Sequence, residues 1–146
     1  MNIVNVGYDS TNTHYHPDHA GLVQEVKDAG LQHIILEEQV AAIPLLKTYM
    51  KPNSGYAEIR LDDSFQLATA ESRAWLTRLG LSGEMIATPG HSADSISLVL
   101  DEGLAFTGDL HPPKMGGPEL AGSWAKLRGL HVRTIHPGHG PSRPIP

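Results

Sequence analysis

Residues 14–19, His-Tyr-His-Pro-Asp-His, constrain this chain more than any other segment. Three imidazoles and a carboxylate so close together cannot all sit on one face of a regular element. They can converge when an extended run, whose alternate residues His14 and His16 project to one side, leads into a helix with Asp18 and His19 in its first turn. The segment thus asks for a strand end before it and a helix start after it. Imidazole and carboxylate are ligands that suit zinc, iron and manganese. Taken alone, the hexapeptide also fits a histidine-rich surface loop with Asp18 as an ordinary N-cap.

Three later segments weigh against the surface loop. Residues 88–92, Thr-Pro-Gly-His-Ser, put His91 in a Gly/Pro loop directly after an expected strand. Residues 107–109, Thr-Gly-Asp, put Asp109 at the end of another, and residues 136–140, His-Pro-Gly-His-Gly, do the same for His139. Loops at strand ends are where a rigid scaffold presents functional side chains.

The hydrophobic pattern agrees with such a scaffold. Strands are expected at residues 3–6, 33–36, 84–87, 95–100, 104–107 and 131–135, from alternating or continuous apolar runs bounded by turn residues. Helices are expected at 20–29, with Leu22, Val23, Val26 and Ala29 inward, at 38–49 with a break at Pro44, at 71–79 around Trp75, and at 119–128. Residues 9–13 read as a polar loop and 51–64 as a long loop with an edge strand near 56–61. Strands interleaved with helices give a mixed α/β class. A length of 146 residues suits one domain, 1–146, with one core.

Composition narrows the chemistry. The chain has no cysteine, which removes disulfides, thiolate ligands and thiol nucleophiles together and fits a cytoplasmic location. The net charge is -5, and the basic residues, such as Lys47, Lys51, Arg60, Arg73 and Arg78, are scattered. Nucleic acid, which calls for a basic stripe, is not expected as a partner. The N-terminus lacks the regions of a signal peptide, and no apolar run approaches the roughly 18 residues of a membrane span. A small-molecule substrate is the expected partner.

The order HxHxDH, PGHS, GD, PGHG resembles the metallo-β-lactamase superfamily, and within it the glyoxalase II-like and lactonase-like hydrolases. The resemblance runs from about residue 13 to 140 and implies an αβ/βα sandwich. It implies that His14, His16 and His91 bind one metal ion, that Asp18, His19 and His139 bind a second, and that Asp109 bridges them. It further implies two divalent transition-metal ions, zinc first, with iron or manganese as alternatives. The reaction implied is hydrolysis of an ester, thioester, lactone or phosphodiester by a metal-bridging hydroxide, oriented by Asp18 as catalytic residue. Two-metal sites lower the pKa of a shared water toward neutrality. Asp109 argues against antibiotic hydrolysis, since true β-lactamases of this fold usually have another residue at the bridging position. His16 argues against the flavo-diiron branch, which has glutamate there. An iron-dependent sulfur oxidoreductase and a non-catalytic metal-binding remnant stay open as alternatives.

Thirteen residues precede His14, where family members carry an N-terminal hairpin region, so N-terminal strands are expected to be missing. A sheet lacking them would present an open edge, and a homodimer meeting through the N-terminal region is expected. Among the other histidines, His33 is expected to pack, His131 and His136 to lie apart from metal, and His111 is a candidate to face substrate. Tyr15, pointing away from the two histidines that flank it, is expected in the core.

Overall fold

In the computed structural model, residues 3–6 and 9–146 are described. The first half of the chain runs β1 (Ile3–Val6), β2 (Asp9–Asn12), α1 (Pro17–Ala20), α2 (Val23–Asp28), β3 (Gln32–Leu36), α3 (Leu46–Tyr49) and β4 (Phe65–Leu67). The second half runs α4 (Ser72–Arg78), β5 (Gly83–Ala87), β6 (Ile96–Leu100), β7 (Leu104–Gly108), α5 (Pro118–Gly129), β8 (Thr134–Pro137) and β9 (Arg143–Pro144). Each half builds its own sheet, ordered β1-β2-β3-β4 and β5-β6-β7-β8-β9. In the first sheet β1 and β2 are antiparallel, while β2, β3 and β4 run parallel. The second is antiparallel except for the parallel pair β7 and β8.

The alternation of side chains along a strand sorts the core into layers. In β3, Ile34 and Leu36 face a central cluster with Leu67, Trp75, Leu76, Met85, Ile96 and Leu98, which joins the two sheets. The intervening Ile35 faces the opposite way and packs with Tyr15, Ala20, Val23, Ile43 and Leu46 of the first helical layer. In β6, Ile96 and Leu98 point into the central cluster, while Val99 meets Leu120, Trp124 and Leu127 of α5. The result is helix, sheet, sheet, helix. Strands buried on both faces carry continuous apolar runs, which explains the unbroken Ile-Ile-Leu of β3. Each of the buried Val, Leu, Ile and Met side chains among these contributes about 1.5–3 kcal/mol by leaving water.

Several expectations shift. Residues 9–13 are not a loop: β2 occupies Asp9–Asn12, and Ser10, Thr11 and Asn12 are buried despite being polar. Backbone pairing on both sides and bonds such as Asn12 Nδ2 to His19 O, 2.8 Å, compensate part of that burial. The expected helix at 20–29 is split at Gly21 and Leu22, and Leu22 is 53% exposed rather than inward. A Cβ at Gly21 would lie 2.4 Å from Pro17 O, so the closeness of that turn requires glycine. The 38–49 helix is likewise broken, into two 3-10 turns and α3. Near 56–61 there is no strand; β4 lies at Phe65–Leu67 instead. The last long strand begins at Thr134, because His131 adopts φ 57° and completes a turn after α5.

Candidate metal centre

The two halves meet where β2 ends. The Ile96 N–H donates to Thr13 O at 2.8 Å, tying the end of β2 to the start of β6. The chain bends at Thr13 and His14 and is extended again at His16, with φ -103° and ψ 159°. Pro17 then opens α1, its fixed φ suited to a first helical residue. His19 N and Ala20 N donate back to His16 O at 3.0 and 2.8 Å. This switch from extended to helical within three residues turns His14, His16 and His19 toward one point.

The second half supplies the remaining residues from the ends of β5, β7 and β8. His91 follows Gly90, Asp109 follows Gly108, and His139 follows Gly138, whose N–H donates to Gly108 O at 2.7 Å. Gly108 has φ 53°, and a Cβ there would lie 2.5 Å from Thr13 Oγ1. Only a residue without a side chain lets the two halves approach so closely.

All seven residues named for metal binding come together, in two adjacent groups whose potential ligand atoms lie within 4.8 Å of one another in each. In the first, the rings of His14, His16 and His91 stand 4.7 to 4.8 Å apart, with His91 Nε2 and His16 Nδ1 at 3.0 Å. In the second, Asp109 Oδ2 lies 3.2 Å from His19 Nε2 and 3.5 Å from His139 Nε2, and Asp18 Oδ2 lies 3.0 Å from His139 Nε2. Asp109 Oδ2 is also 4.0 Å from His91 Nε2, so this carboxylate faces both groups.

The electrostatics favour a neutral imidazole at His14 and at His91. Burial, reinforced by His19, His91 and His16, pulls the His14 pKa down to about 3. Burial also lowers that of His91, with His16 adding to the effect. Desolvation opposes ionisation of Asp18, but its backbone N–H bond, His19 and His139 hold the carboxyl below its ordinary value. Neutral imidazole and ionised carboxylate are the forms that bind metal.

Two buried atoms of the cluster, His14 Nε2 and Asp109 Oδ1, have no hydrogen-bond partner among the described residues. Buried polar atoms are normally satisfied, and unpartnered nitrogen and oxygen among imidazoles and carboxylates are what a divalent transition metal takes up. The residues fit such an ion.

His33, His136 and His111 each have partners of their own. His33 is fully buried, with Nε2 2.8 Å from Tyr15 Oη and Nδ1 3.1 Å from Ser64 Oγ; burial lowers its pKa to about 4. Tyr15 is 2% exposed. His136 stacks on Phe106 and bonds Ser142. His111, the candidate to face substrate, lines a cleft beside Asp109 and His139 and places Nε2 3.2 Å from His91 Nδ1.

Two supporting residues carried no signal in the sequence. Asp94 Oδ2 accepts the Tyr15 N–H at 2.7 Å, and Gln39 Nε2 donates to Asn12 O at 2.9 Å, so both brace the loop that bears His14 and His16. Asp94 stands three residues after His91, and that proximity is the one available hint.

Comparison with known proteins gives a consistent picture. The family model described as the metallo-beta-lactamase superfamily matches residues 11–139. The beta-lactamase-like protein 2 homolog of Caenorhabditis elegans is 30% identical over 143 residues, spanning 88% of this chain and 41% of that protein. The chain thus spans less than half the length of this curated relative. A metallo-beta-lactamase family protein of Thermus thermophilus superposes with a TM-score of 0.68 at 20% identity, over 94% of this chain and 56% of that one. The BLEG-1 B3 metallo-beta-lactamase gives 0.64 at 25% identity, over 92% and 70% of the two chains. TTHA1623, solved in a di-iron-bound form, gives 0.58 at 22% identity, over 92% and 71%.

Proposed function

Since the chain belongs to the metallo-β-lactamase superfamily, we propose that it is a dinuclear metal-dependent hydrolase acting on an ester-like bond of a small molecule. The observation that carries this reading is the pairing of two ligand groups around one shared carboxylate, Asp109. His14, His16 and His91 would hold one ion, Asp18, His19 and His139 the other, and Asp109 both. Bound divalent cations supply an acidified water as nucleophile and positive charge for the developing oxyanion. Asp18, 57% exposed and 3.0 Å from His139, would orient that water and accept its proton at the carboxylate oxygen not turned to the ion.

A cleft of about 430 Å3 opens beside His16 and His91. Ala41, Ala42, Leu45 and Tyr49 form one wall, and its charged lining residues are Glu38 and Asp94, with no lysine or arginine. The volume is that of a small-molecule site. An uncharged, apolar portion of the substrate suits this wall.

The test is metal analysis joined to a substrate panel. Protein saturated with zinc or manganese is expected to hold close to two ions per chain and to hydrolyse neutral acyl esters, thioesters, lactones or phosphodiesters. One ion at most, even after loading, would sink the dinuclear reading. Iron with sulfur oxidation would replace it, and two ions with no turnover across the panel would leave a binding protein. In the cleft, Leu45 and Tyr49 are 53% and 58% exposed. Leu45→Asp is expected to reduce kcat/KM for a neutral acyl ester roughly tenfold or more, mainly through KM, since apolar contacts of this size contribute about 1–3 kcal/mol. An unchanged KM would move the substrate elsewhere.

A further inference from the structure

The contact between His91 and His111 gives the second histidine a role. His91 presents Nε2 to the cluster, 3.0 Å from His16 and 4.0 Å from Asp109, and turns Nδ1 away to His111. An imidazole that offers the lone pair of Nε2 to a cation carries its proton on Nδ1. That proton needs an acceptor, and the atom 3.2 Å away is His111 Nε2.

His111 is itself fixed. Its carbonyl accepts the indole N–H of Trp124 at 2.9 Å, and Trp124 is 1% exposed within the α5 layer. The segment that follows holds Pro112, Pro113, Gly116 and Gly117, with a 3-10 turn at Pro113–Met115. Without the indole, few bonds would decide where His111 sits.

We infer that His111 is a positioning residue for the metal centre: it accepts the Nδ1 proton of His91, and Trp124 holds it in place to do so. This rests on the proposed metal-binding role of His91. A partner on the far nitrogen of a ligand histidine fixes ring orientation and tautomer, and losing such a partner typically costs about 10–100-fold in metal affinity. The geometry also separates His111 from the seven proposed ligands, because its contact is to the outward nitrogen of His91 and not to the inward one. Helix α5, which supplies none of the ligands, thereby governs one of them.

The experiment compares zinc affinity, by chelator competition, in the parent protein and in His111→Ala, His111→Gln and Trp124→Phe. His111→Ala is expected to bind the ion of the His14, His16 and His91 group about 10–100-fold more weakly, with the other ion little changed. His111→Gln, whose Oε1 can accept the same proton, is expected to recover most of the loss. Trp124→Phe, which keeps the ring and loses the donor, is expected to fall between. Equal affinity in the parent and His111→Ala, or equal losses in the Ala and Gln variants, would overturn the inference. Long-range 1H–15N correlation spectra of the parent, before and after zinc, supply a readout that requires no variant to fold. The proton of His91 is expected on Nδ1, and a proton on Nε2 overturns the inference. If the parent binds no zinc, the hydrolase reading and this inference fall together; if it binds zinc but His91 carries its proton on Nε2, only the inference falls.

Discussion

Asp109→Ala is expected to abolish hydrolysis and to weaken binding of the ion pair more than the loss of any single histidine. Its Oδ2 lies 3.2 Å from His19 Nε2, 3.5 Å from His139 Nε2 and 4.0 Å from His91 Nε2, so it reaches into both ligand groups. Removing it strips one anionic donor from each ion and leaves two cations facing each other with less negative charge between them. The loss should exceed the roughly 10–100-fold typical when an outer partner of a ligand is removed. His91→Ala and His139→Ala belong to different groups, and each should remove mainly one ion. Comparing zinc stoichiometry and affinity across the three variants tests the bridge. Two ions bound by Asp109→Ala as tightly as by the parent would refute it.

The second large effect is expected at a residue with no side chain. Gly108→Val introduces a β-branched residue at φ 53°, a conformation L side chains rarely adopt. Its Cβ would also meet Thr13 Oγ1 at 2.5 Å and Thr13 Cβ at 2.7 Å. Thr13 adjoins His14, Gly108 adjoins Asp109, and Gly108 O accepts the N–H of Gly138 beside His139. One substitution thus presses on three ligand-bearing segments. Backbone strain and overpacking each cost about 1–3 kcal/mol, so a clear fall in melting temperature is expected along with loss of both ions. A variant that melts like the parent and still binds two ions would show that the seam can yield.

The site was more legible in the sequence than its surroundings, and the reason is physical. His14, His16, Asp18 and His19 are close in sequence because an extended run turning into a helix brings such neighbours together. His91, Asp109 and His139 each announce themselves by a glycine directly before them at a strand end. The double-sided burial of β3 could be read from its unbroken apolar run. By contrast, β2 contains no apolar residue, and its burial between β1 and β3 comes from backbone pairing, which hydrophobic patterning does not register. The turn between α1 and α2 brings Gly21 against Pro17 O, a closeness that only the folded chain shows. Asp94 and Gln39 act on the ligand loop through bonds to Tyr15 and Asn12, far away along the chain. His111 faces His91 in an arrangement to which Trp124, from another element, contributes.

The seam between the sheets has a consequence for how the molecule is held together. His14, His16, Asp18 and His19 come from the first sheet's side, and His91, Asp109 and His139 from the second's. Neither half can assemble a binding site alone, so any ion with affinity for the centre acts as a clasp that closes only on the finished chain. A ligand that favours the native state adds stability in proportion to the logarithm of its concentration, about 2.7 kcal/mol at a hundredfold excess over Kd. The residues proposed for catalysis would then also make the chain's lifetime answer to the supply of free metal. Starved of it, the two halves would be joined chiefly by the central apolar cluster and by backbone bonds such as that from Ile96 to Thr13.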